Sequence, residues 1–153
     1  MAKIAFLVVV ICIAAAIGYY LGYDIGFERA LKNISQGEKP GNVAEKADLI
    51  RVSQPRPDEV IQSPLVVKGE ARGFWFFEAS FPVRLIDANG KNIPLDPPYI
   101  MATSEWMTEN FVPFESTVSF EKPQTKTGTL ILERDNPSGL PENDDSLIIP
   151  VKF

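Results

Sequence analysis

"GEARGFWFFEASFPVRL", residues 69–85, gathers Phe74, Trp75, Phe76, Phe77 and Phe81 into one short stretch. Taken with period two, Trp75, Phe77, Ala79, Phe81, Val83 and Leu85 form a wholly apolar set. The intervening Phe76, Glu78, Ser80, Pro82, Arg84 and Ile86 are mixed. Successive side chains of a strand point to opposite faces, so this alternation predicts strands with one face on a core and the other toward water. The aromatics are therefore read mainly as interior.

The same period extends on both sides. Leu65 and Val67 precede it, and Val118 and Phe120 follow, as do Leu130 and Leu132, then Leu147, Ile149, Val151 and Phe153. Candidate strands are 49–53, 64–70, the aromatic stretch through Asp87, 99–103, 116–120, 129–134 and 147–153. "ANGK" at 88–91 predicts a hairpin turn, because Asn-Gly tolerates positive φ. All 13 prolines lie between Pro40 and Pro150, and no helical period competes. The expectation is an all-β sandwich of about seven strands over residues 49–153.

Residues 1–48 are of another kind. Ile4 to Tyr23 is 20 residues without a charge, and a helix of that length spans roughly 30 Å, the thickness of a bilayer core. A single transmembrane anchor is expected over 1–34, with Tyr19, Tyr20 and Tyr23 at the interface. Cleavage after Ala14-Ala15-Ala16 is the alternative and would release a secreted protein. Ala14, Gly18, Gly22 and Gly26 recur every four residues, a small-residue face that is a candidate for homodimer self-association of the helix, the alternative being that Gly and Ala are simply common in membrane helices. Residues 35–48, "SQGEKPGNVAEKAD", read as a flexible tether.

Charge narrows the partners. Residues 1–48 carry five basic and five acidic side chains, leaving ten basic against fifteen acidic in 49–153 and a net charge of −5. Such a module repels phosphate backbones, so no nucleic acid is expected. The chain has no histidine, the commonest general base and metal ligand, and its one cysteine, Cys12, has no partner for a disulfide. No catalysis and no cofactor are expected. Glu70, Arg72, Glu78, Arg84, Arg134 and Asp135 are candidates for one ion-pair network. The oxygen-rich stretch Asp135–Asp145 offers hard donors of the kind calcium takes, though its spacing is not that of an EF-hand loop.

Phe74 and Phe76 fall off the apolar face, and Trp106, Phe111 and Phe114 lie in "SEWMTENFVPFE" (104–115). These five are the candidate partner-binding surface, with capping of the sandwich's open end as their alternative role.

"GEARG", "WFFEASFPVRL", "EWMT", "FVPFE" and "DNPSGLPEND", in this order, resemble the immunoglobulin-like domain associated with bacterial spore germination proteins. The resemblance covers residues 49–153. It implies an immunoglobulin-like sandwich outside a bacterial membrane, with the amino terminus in the cytoplasm, and it offers no catalytic residues. The expected function is a membrane-tethered interaction or structural module facing an envelope protein or glycan. The alternative is a secreted binder of a glycan or small apolar ligand through Trp106 and its neighbours.

Overall fold

A computed structural model describes residues 41–153. The expected anchor, its Ala14, Gly18, Gly22 and Gly26 face and the first part of the tether lie outside the described residues. Among those described, no helix is long and apolar enough to cross a membrane.

Eight strands follow in chain order: β1 (Ile50–Gln54), β2 (Leu65–Arg72), β3 (Ser80–Asp87), β4 (Asn92–Ile93), β5 (Tyr99–Met101), β6 (Phe111–Val118), β7 (Thr127–Glu133) and β8 (Ser146–Lys152). One sheet has the order β1-β2-β6; the other has the order β4-β3-β7-β8, with β5 also paired to β3. All of these strand pairs are antiparallel. After β1 the chain crosses to the second sheet, where Val60 bridges Lys152 in parallel and the Ile61 N–H donates to the Lys152 carbonyl at 2.8 Å. That segment covers the edge of β8, which otherwise presents unpaired backbone groups.

The two inner faces meet in a core that includes Val67, Ala71, Phe81, Leu85, Val112, Phe114, Leu130, Leu132, Leu147 and Ile149. No polar or charged residue is buried among those described. Phe81 on β3 and Phe114 on β6 meet edge to face across the sheets, with centroids 5.2 Å apart and planes at 88°. Phe76 packs on Phe81 in the same way at 5.2 Å. The chain has a single cysteine, and this aromatic cluster ties the sheets together through β3 and β6 by packing alone.

Period two predicted most of the core and failed at one place. Phe77, expected inside, is 42% exposed, while Phe76, expected outside, is 3% exposed. The stretch is not one continuous run. β2 ends at Arg72, a 3-10 turn occupies Gly73–Trp75, and the chain reverses between Phe77 and Ser80. The Phe77 N–H donates to the Ser80 carbonyl at 2.9 Å and the Ser80 N–H to the Phe77 carbonyl at 3.0 Å. Glu78 and Ala79 between them have φ of 50° and 63°. Both turns reset the alternation, so faces assigned on one side of them do not carry to the other.

Gly69 shows how tightly β1, β2 and β6 are stacked. A Cβ there would lie 2.1 Å from the Arg51 carbonyl oxygen and 2.7 Å from the Phe114 ring. Pro113 sits within β6 because its carbonyl faces Thr103, on the side away from β2, where no ladder donor is required of it.

Within the segment expected as a tether, the described residues from Gly41 on are bound to the domain. Asn42 donates its N–H to the Ile148 carbonyl at 3.3 Å, its side-chain amide donates to the Ser146 carbonyl at 3.0 Å, and its side-chain oxygen accepts from the Ile148 N–H at 2.8 Å. Lys46 pairs with Asp145. One asparagine thereby supplies strand-like hydrogen bonds to the start of β8.

Candidate functional site

Strand polarity gathers four connections at one end of the sandwich: residues 41–49, 73–79, 102–110 and 134–145. They are tied together there. The Asp135 N–H donates to the Trp75 carbonyl at 3.0 Å, and the Gly73 N–H to the Asn110 carbonyl at 3.1 Å. Of the seven exposed large apolar side chains among the described residues, Phe74, Phe77, Met101, Met107 and Leu140 belong to this end, and Tyr99 lies beside it. Only Val60 lies away from it. Core packing does not account for such a distribution, since none of the six is enclosed.

The five residues singled out from the sequence divide sharply. Phe74 is exposed, with the Arg134 guanidinium 5.5 Å from its ring centre and the Arg134 Nε donating to its carbonyl at 3.3 Å. Phe76 and Phe114 are core residues and leave the candidate surface. Phe76 turned inward with the 3-10 turn, and Phe114 alternates with Val112 on the inner face of β6. Phe111 is clamped on the outer face of the first sheet, between Arg51 at 4.0 Å and Arg72 at 4.2 Å. Trp106 is partly buried and packs against the core, on a loop pressed so closely to Gly73 that a Cβ there would lie 1.8 Å from the Thr108 carbonyl oxygen. It caps the end of the sandwich, and Met107 beside it takes the exposed position.

Sequence reasoning missed the side chains that form a continuous surface. In the β3–β5 ladder Ser80 faces Met101 and Pro82 faces Tyr99, while Phe77 bridges Ser80. Residues directly opposite one another share a face, so Phe77, Met101, Pro82 and Tyr99 form one outward stripe. Two large apolar residues flanking the buried Ile100 in "YIM" were the signal available in the sequence.

Beside the stripe lies a recess of about 550 Å³, walled by Pro82, Glu133, Arg134, Asp135, Asp144 and Asp145, with Asn42 and Lys46 across from them. Burial pushes the Asp135 carboxyl above its usual 3.8; the charge of Glu78 adds to this and a backbone N–H from Asn136 opposes it. In the connection that follows, donors and acceptors are spent on each other. Asn136 donates to the Leu140 carbonyl at 2.8 Å and to Asp144 at 2.7 Å, and Asn143 donates to Ser138 at 3.0 Å. Among the described residues no three carboxylate, histidine or cysteine side chains gather as a metal site would require.

The proposed ion-pair network is two separate sets, because β2 and β3 belong to different sheets. On the first, Arg51 pairs with Glu70 at 3.0 Å and Lys68 with Glu115 at 2.8 Å, while Arg72 donates to the Asp48 and Glu109 carbonyls. On the second, Arg84 pairs with Glu133.

A two-sheet Greek key in which β1, β2 and β6 face β3, β7 and β8 defines an immunoglobulin-like domain. Its sequence places it more narrowly. The chain belongs to the family described as the immunoglobulin-like domain of bacterial spore germination, whose profile matches residues 49–139. The match is shorter than the resemblance read to Phe153, so β8 lies beyond it and joins the domain through its ladder with β7. No curated protein and no solved structure matches the chain.

Proposed function

We propose that this chain is a non-catalytic interaction module held at the outer surface of a bacterial membrane by residues 1–34, binding a protein partner through the end of the sandwich that carries Phe74, Phe77, Tyr99, Met101 and Met107. The observation that carries this reading is the gathering of six of the seven exposed large apolar side chains among the described residues at or beside that end. The uncharged run from Ile4 to Tyr23 supports the tether, and the family match supports a bacterial envelope setting. The lack of any histidine in the sequence, and a recess in which Glu133 and Asp145 are held in ion pairs and Asp144 accepts from Asn136, support binding over turnover.

A photo-crosslinking residue placed at Tyr99 of the full chain in its source bacterium tests this, with Ser53 at the far end of the domain as control. The expected result is a discrete envelope-protein adduct from position 99 and none from 53, in the membrane fraction. Equal adducts from both positions, or a chain recovered only from the medium, would refute it.

A further inference from the structure

We infer that the apolar stripe and the adjoining recess together form a docking site for a cationic, apolar protein segment. A lysine or arginine of the partner enters the recess beside Asp135, and the partner's neighbouring apolar side chains lie on Phe77, Tyr99 and Met101. This rests on the partner-binding reading above and specifies the chemistry of the partner.

The cations around the recess are already engaged: Arg134 lies against Phe74, its Nε donating to the Phe74 carbonyl. Lys46 takes Asp145 and Arg84 takes Glu133. Among the described residues, Asp135 and Glu78 have no cation within ion-pair distance. They are close enough for the charge of Glu78 to raise the Asp135 carboxyl. A like-charged pair at the rim of a recess is relieved by an incoming cation, and a long cationic side chain reaches it by laying its methylenes along Pro82 and Tyr99. The exposed Tyr99 ring also suits a guanidinium.

The backbone excludes the main alternative mode of peptide recognition. An added strand needs a free ladder edge. β5 has neither edge free: one pairs with β3, and on the other the Met101 N–H donates to Ser116 Oγ at 2.9 Å while Ala102 bridges Phe114. Recognition here must run through side chains, which is why both an apolar stripe and a charged recess are needed. The acidic balance of residues 49–153 also turns this surface away from anionic lipid.

The test uses the full 153-residue chain, isotope-labelled, titrated with the acetylated and amidated hexapeptide Leu-Arg-Leu-Arg-Leu-Arg. Backbone amide shifts are followed by NMR. Saturable shifts confined to residues 77–82, 99–101 and 133–136 are expected, weakened about tenfold by Asp135→Asn and by Tyr99→Ser, both at exposed or half-buried positions where the fold survives. Equal binding of a Leu-Glu hexapeptide would overturn the charge requirement, and equal binding of a Gly-Arg hexapeptide would overturn the apolar one. Shifts at the opposite end, or the same shifts produced by neutral phosphatidylcholine vesicles, would overturn the site. Crosslinks from Tyr99 with no response to any peptide would leave a partner-binding end in place and remove the cationic partner alone.

Discussion

Ala79→Gly should stabilise the domain, and Gly90→Ala should destabilise it by a similar amount. Ala79 sits at φ 63° in the two-residue turn between Phe77 and Ser80. Positive φ at both central residues is the condition met most easily by Asn-Gly, yet the sequence has Glu78-Ala79. An L-residue in this region costs roughly 1–2 kcal/mol that glycine does not incur. Glycine gives back about 0.4–1 kcal/mol through the greater freedom of the unfolded chain. The difference is a net gain of about 0.5–1 kcal/mol, which for a domain of this size raises Tm by roughly 2–6 °C. The turn's own contacts are retained, since the Ala79 carbonyl, not its side chain, accepts from the Ala102 N–H at 2.8 Å. Gly90 supplies the reverse experiment. It lies at φ 78°, and a Cβ there would have no heavy atom within 4 Å, so only the backbone cost is felt. Calorimetry and urea melts of the full chain measure both, with an unchanged m-value showing that the unfolded state is comparable. Shifts of the same sign in the two variants would refute the reasoning, as would a fall in Tm for Ala79→Gly.

Three further outcomes follow from the packing and charge. A double-mutant cycle of Phe81→Leu and Phe114→Leu should show a coupling of about 0.5–1.5 kcal/mol in urea melts, because each ring is the other's edge-to-face partner across the sheets. Gly69→Ala should destabilise by about 1–3 kcal/mol, since its Cβ meets the Arg51 carbonyl at 2.1 Å and β1 must shift to admit it; melts that overlay the parent would contradict this. The raised carboxyl of Asp135 predicts a pH signature. Its neutral form is favoured in the fold, so its contribution is fully present below the usual 3.8 and is lost as pH rises through the higher folded value. Asp135→Asn should therefore be more stable than the parent at pH 7 and lose that advantage at pH 3; a constant difference across that range would show that burial and Glu78 are not acting on this group.

Where alternation was unbroken, the fold was legible from the residues. Leu65 and Val67, Leu130 and Leu132, and Leu147, Ile149 and Val151 are all core, because each set lies within one regular strand. The failures occur where geometry changes without a marker in the residues. Glu78-Ala79 carries none of the usual turn residues, so the reversal there was invisible and Phe76 and Phe77 exchanged faces. The strand expected at 116–120 begins at Phe111 instead, and Pro113 is tolerated within it because its missing N–H would face away from β2. β4, two residues long, is too short for any period to reveal.

The candidate site was less legible for a different reason. Its stripe depends on a pairing between β3 and β5 that brings residue 80 opposite residue 101, and its recess joins positions 42, 82, 133 and 145. No local pattern encodes contacts at that separation. Composition pointed to aromatic side chains, and of the five it singled out only Phe74 is fully exposed, with Phe76 and Phe114 in the core. An aromatic side chain is as useful inside as outside, and its type alone does not say which. Phe76, Phe81 and Phe114 bind the two sheets to each other; the same residue type at 74 and 77 faces water only because two turns rotate it there. The strained turn at Glu78-Ala79 then suits the proposed docking site as well as the fold. It sets Phe77 in line with Met101 and holds Glu78 beside Asp135, a placement that an unstrained connection from β2 to β3 would not require.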